Sequence, residues 1–86
     1  MQQRSAEKIT VFPNPVKSKA TIQHLPNTVF NVALFDLTGK QVDQKQIRGG
    51  EPAEWDFSTY KSGIYMMILR SETGNVQRLK IIKQRE

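Results

Sequence analysis

Seven short β-prone runs, each cut off within about eight to twelve residues by proline, glycine or an Asx-containing turn, leave this chain little choice of architecture. Ile9-Thr10-Val11-Phe12 stops at Pro13-Asn14-Pro15, where both residues ahead of a proline are pushed into extended geometry. Ala20–Leu25 alternates apolar and polar residues until Pro26-Asn27, and Phe30–Phe35 alternates again before the turn Asp36-Leu37-Thr38-Gly39. Lys40–Ile47 is far more polar, as suits an edge or one-faced strand, and Arg48-Gly49-Gly50-Glu51-Pro52 closes it. Glu54–Phe57 sets both aromatics on one face, and Ser58–Gly63 reads as a corner. Ile64–Leu69 lacks polar alternation, which predicts a central strand buried on both faces or nearly so. After the hairpin turn Glu72-Thr73-Gly74-Asn75 comes Val76–Lys83, with Leu79 and Ile81 on one side and Arg78 and Lys80 on the other. Ile82 breaks that alternation and predicts a bulge or fraying. No segment keeps a 3.6-residue period, so the expectation is all-β, a seven-stranded antiparallel sandwich. Residues 1–8 are polar and read as a flexible lead-in to a single domain at 9–86.

The 86 residues carry seven Ile, six Val and six Thr against four Ala, which favours strands. A chain of this size buries only about 60–65% of its unfolded surface, so its core is thin and leaves little room for a deep catalytic pocket. With no cysteine there is no disulfide, thiolate nucleophile or Cys-based zinc site. No apolar stretch is long enough for a membrane-spanning helix, and Met1–Thr10 lacks the apolar run of a secretory signal. The expectation is therefore a cytosolic protein or a piece of a longer exported chain. Net charge is +5, and Arg78, Lys80, Lys83 and Arg85 against Glu86 place net +3 in Val76–Glu86. The last strand is the electrostatic pole, either a charge-protected edge or a surface for an acidic or anionic partner.

Catalytic and metal chemistry find few candidates. The single histidine, His24, would have to recruit Asp36, Asp43 or Asp56 from other strands, and no spacing suggests a metal set or a cofactor. Thr38-Gly39-Lys40 lacks the upstream glycine and following helix of a phosphate loop and reads as a turn. Most aromatics fall at core-facing positions, not interleaved with Lys and Arg as in a nucleic-acid platform, so no nucleic-acid partner is expected. Met66 and Ile68 face away from Tyr65, Met67 and Leu69, and in so small a sandwich one set is a candidate docking patch.

Four motifs occur in order: Phe12-Pro13-Asn14-Pro15, Asp36-Leu37-Thr38-Gly39-Lys40-Gln41-Val42, Gly63-Ile64-Tyr65, and Lys80-Ile81-Ile82-Lys83. Together they resemble the type A C-terminal sorting domain of the type IX (Por) secretion system, over about Ile9 to Lys83. In that family Tyr more often precedes the Pro-Asn-Pro; here it is Phe12.

The resemblance implies an address and no enzymatic activity. It implies a seven-stranded Ig-like sandwich at the end of a larger Bacteroidetes precursor, its cargo domain lying upstream. Such cargo crosses the inner membrane on a separate signal, is recognised in the periplasm by translocon and shuttle components, and passes to the cell surface or is released extracellularly. A sortase-like cysteine protease then removes the domain and joins the cargo to anionic lipopolysaccharide. The cleavage region expected here is the lead-in near Ser5-Ala6, where small residues give access. Of the motif residues, Phe12, Pro13, Pro15, Gly39, Gly63, Ile64 and Tyr65 are assigned to the fold. Asn14, Lys40, Arg78, Lys80 and Lys83 are assigned to translocon recognition, with the last strand as the principal signal, docking by strand addition or charge pairing. An edge strand also offers a weak homodimer contact. The alternative is an Ig-like accessory module that binds carbohydrate or protein, in which an exposed Trp55 beside Tyr60 would stack on sugar; a buried Trp55 favours sorting.

Overall fold

Alternating side chains give each strand one apolar face, and two sheets close over those faces. In a computed structural model, which describes residues 8–85, the strands are β1 Thr10–Phe12, β2 Lys19–Gln23, β3 Val29–Asp36, β4 Gln41–Arg48, β5 Ala53–Asp56, β6 Gly63–Ser71 and β7 Val76–Lys83. They form a three-stranded sheet ordered β1-β2-β5 and a four-stranded sheet ordered β4-β3-β6-β7, with every strand pair antiparallel. The all-β sandwich expected from the sequence is the fold observed. Ser5 and Ala6 lie outside the described residues.

The core is the sum of the inward positions. Val32 and Leu34 on β3, Tyr65, Met67 and Leu69 on β6, and Ile81 on β7 meet Ala20 and Ile22 on β2, Trp55 on β5, and Phe57. Burying each large apolar side chain contributes roughly 1.5–3 kcal/mol. Val16, from the β1–β2 connection, joins this core with no exposed surface.

β6 is central, as its apolarity predicted, but it is not buried on both faces. Ile64 and Met66 on its outer side are 39% and 37% exposed, because among the described residues only the inner face has a second sheet against it. Nor is there a bulge at Ile82. The β6–β7 register runs unbroken through Ile64↔Ile82 and Gly63↔Lys83, so Ile82 is simply an outward apolar residue. The irregularity instead falls between Leu34 and Phe35, where β3 meets β4 close to their tight turn. In that turn Asp36 Oδ1 accepts the Thr38 N–H, the Thr38 hydroxyl and the Lys40 N–H at 2.7–3.0 Å, while Gly39 takes φ +89°, a conformation an L-residue resists. Those donors, Thr38 foremost, hold the Asp36 carboxyl below its ordinary value.

Candidate recognition surface

β7 ends the four-stranded sheet, and its free edge is partly closed by the chain's own first motif. The Asn14 side chain lies along it: Nδ2 donates to the Lys80 carbonyl at 2.8 Å, and Oδ1 accepts the Ile82 N–H at 2.9 Å. Two residues on, the Val16 N–H donates to the Ile82 carbonyl and the Gln84 N–H to the Val16 carbonyl, both at 2.8 Å, giving a parallel bridge between Val16 and Lys83. Asn14 therefore acts as one more residue of β-ladder in side-chain form. Both ends of its side-chain amide are engaged by this contact, so the residue shapes the β7 edge. Phe12-Pro13 and Asn14-Pro15 are both cis peptide bonds.

Strand parity sorts the remaining sequence-assigned residues. Arg78 and Lys80 are exposed on the outer face, and Lys40 is exposed beside the β3–β4 turn. Lys83 is not presented with them. It shares its parity with Leu79 and Ile81, is 5% exposed, and its Nζ donates to the Gln84 carbonyl at 2.9 Å. The charge of Lys83 suggested an outward position, but alternation from Ile81 carries it inward.

The fold-assigned residues divide as well. Tyr65 is buried, with its hydroxyl donating to the Lys61 carbonyl at 2.6 Å, and Gly63 opens β6 at φ +151°. Phe12 is 65% exposed and Ile64 39%, and Pro13 and Pro15 are also exposed, so none of these four side chains fills the core. What the Pro-Asn-Pro segment does for the fold is to place Asn14 and Val16 against β7.

Across the sandwich, β4 and β5 are edges of different sheets and are bridged by Trp55, Tyr60 and Asp43, of which the sequence alone sets only the first two side by side. Tyr60 donates its hydroxyl to Asp43 Oδ2 at 2.6 Å and accepts the Trp55 Nε1–H at 3.0 Å. The Tyr60 ring packs edge-on to Phe57, and Lys45 Nζ sits 4.5 Å from the Trp55 ring centroid. Burial, then the bond to Asp43, pushes the Tyr60 hydroxyl up to about 12, while the Tyr60 bond leads in holding the Asp43 carboxyl below its ordinary value. Trp55 itself has no exposed surface. The stacking that a carbohydrate-binding accessory module requires is not available to it.

A two-sheet antiparallel sandwich whose last strand is latched by its first connection, with Arg78 and Lys80 turned outward, is an Ig-like domain built around a surface. Over residues 10–84, all seven strands, the chain matches the family described as the secretion system C-terminal sorting domain, and it belongs to that family. It is a type IX secretion sorting signal, a cargo tag recognised by the type IX machinery and implying export through the outer membrane to the cell surface or extracellular space. The chain is also similar to part of a solved structure titled as the dimeric latent PorU from Porphyromonas gingivalis. The two share 27% identity with a TM-score of 0.64, over 91% of this chain and 9% of that one. No curated protein sequence matches the chain.

Proposed function

We propose that this domain carries an upstream cargo protein through the periplasm to the type IX translocon and its shuttle components, which read it chiefly through β7. After crossing, a sortase-like cysteine protease cleaves within residues 1–8, near Ser5-Ala6, and joins the cargo to anionic lipopolysaccharide. The boundary between lead-in and domain at residues 8 and 9 follows from this reading. The observation that carries it is the family match over all seven strands. The chemistry of β7 supports it: Arg78 and Lys80 stand outward on a strand held in place by Asn14 and Val16. In the same reading the PorU likeness marks a related tail on a protein of that system.

The test is a reporter fused ahead of residues 1–86 in a bacterium with type IX secretion. The expected result is reporter at the surface or in the medium, with periplasmic retention once the domain is removed. Mass spectrometry of the released tail is expected to give a first residue at or before Ile9. Equal export of the reporter with and without the domain would overturn the proposal.

A further inference from the structure

The two outer faces of this sandwich differ in chemistry. On the three-stranded sheet the outward positions include Thr10, Phe12, Lys19, Thr21, Gln23, Glu54 and Asp56, a mixed and nearly neutral set. On the four-stranded sheet the cross-strand pairs put Phe35 beside Met66 and Lys80, Ala33 beside Ile68 and Arg78, Asn31 beside Arg70 and Val76, and Ile64 beside Ile82. Arg48 stands outward beside Val29 on the same face. That face thus bears four cations, Arg48, Arg70, Arg78 and Lys80, and no strand position on it carries Asp or Glu. Among the described residues none of the four has an anionic partner. Between the cations runs an apolar stripe in which Ile64, Met66 and Ile82 are each 37–39% exposed.

We infer that this outer face is a docking surface for an acidic protein surface that carries apolar side chains between its carboxylates. The inference rests on the sorting reading and names the chemistry of the machinery component that reads the tag. Charge selects the partner, because unneutralised like charges on one face exclude basic surfaces and steer acidic ones. The border of the stripe favours protein over membrane, because Asn31 and Gln44 flank it with amides that suit the polar rim of a protein interface. Phe35 is the one aromatic among these strand positions, too few for stacking bases. Docking here is face-on. It leaves the β7 edge to Asn14 and Val16, which already occupy the backbone groups that strand addition at Lys80 and Ile82 would need.

The reporter fusion tests this with three double variants of the full chain. Arg78→Glu with Lys80→Glu reverses the charge, Met66→Thr with Ile68→Thr removes the stripe while keeping strand-forming residues, and Lys17→Glu with Lys61→Glu makes the same charge change at exposed positions elsewhere. Surface reporter is expected to fall about tenfold or more in each of the first two and to stay within about twofold in the third. Urea midpoints of the purified chains report folding; where reversal shifts the midpoint, Arg78→Gln with Lys80→Gln carries the test. Export equal to the parent in both face variants, or an equal loss in the control pair, overturns the inference. Binding of the purified chain to phosphatidylglycerol vesicles, abolished by charge reversal, would assign the face to lipid and also overturn it. Retention of the parent fusion itself instead removes the sorting reading, and this inference with it.

Discussion

Asn14 pairs with Ile82 as a neighbouring strand would, its Oδ1 taking the Ile82 N–H at 2.9 Å across 68 residues of sequence while its Nδ2 reaches the Lys80 carbonyl. The site is exposed, so water can replace what a mutation removes, and Asn14→Ala is expected to cost about 1–2 kcal/mol. Asn14→Asp is expected to cost more, since a carboxylate would face the Lys80 carbonyl with no hydrogen to offer. Urea denaturation checks both, and the wrong order would show that the donor half of the amide is idle.

Tyr60→Phe deletes the hydroxyl that links Asp43 to Trp55. Trp55 has no exposed surface, so its Nε1–H is left without an acceptor, and the expected loss is about 1–3 kcal/mol. Asp43→Asn keeps an acceptor oxygen for Tyr60 and is expected to cost less. Unfolding followed by Trp55 fluorescence gives both values.

Stability is expected to be limited by different groups at the two ends of the pH scale. Asp36, Asp43 and Asp56 all have folded values held below the ordinary 3.8, by the Thr38, Tyr60 and Ser58 hydrogen bonds respectively. Their contribution is fully present above 3.8 and is lost as pH falls through the lower folded values. Tyr60 is raised from 10.0 to about 12, so its contribution is full below pH 10.0 and disappears as pH climbs to about 12. Urea midpoints across pH are expected to show both declines. In Tyr60→Phe the alkaline one is expected to shrink, together with the late-titrating tyrosinate absorbance.

Gly49 is fixed by space. A β-carbon there would lie 1.9 Å from the Pro26 carbonyl oxygen and 2.9 Å from that of Thr28, both backbone atoms that cannot swing aside. Gly49→Ala is therefore expected to cost about 3 kcal/mol. At Gly39 the surroundings are open and only φ +89° resists substitution, so Gly39→Ala is expected to cost about 1–2 kcal/mol. Thermal melts of the two variants rank them.

Lys83 and Lys80 are expected to separate under the same substitution. Lys83→Met keeps the buried stem and gives up one bond to the Gln84 carbonyl, so stability is expected within about 1 kcal/mol of the parent and reporter export unchanged. Lys80→Met removes an outward charge and is expected to lower export with little effect on the melt.

Period-two alternation carried the sequence reading a long way. It puts Leu79 and Ile81 on one side of β7 and Arg78 and Lys80 on the other, while the unbroken apolarity of Ile64–Leu69 puts β6 in the middle of its sheet. It went astray where side-chain character was set above parity. Charge assigns Lys83 to recognition, the break in alternation predicts a bulge or fraying at Ile82, and the absence of any polar residue in Ile64–Leu69 predicts burial of β6 on both faces or nearly so. Other features lie beyond any local pattern. Val16 is a lone apolar residue between Pro15 and Lys17, and its burial depends on a strand near the other end of the sequence. The Asp43–Tyr60–Trp55 chain needs edges of two different sheets to meet. The basic outer face becomes visible only once register aligns Arg48, Arg70, Arg78 and Lys80 across three strands.

The Val16–Lys83 bridge ties the first connection of the domain to the last strand in sequence order, and Ile81 beside it belongs to the core. During synthesis, Asn14 and Val16 therefore wait for nearly the whole domain to emerge before they find their partners. A polypeptide interrupted anywhere upstream of Ile81 lacks both the clasp and the residue that finishes the interior. If the tag is read through β7, as proposed above, a protein whose translation stops before Ile81 is expected to lack the folded surface on which that reading depends.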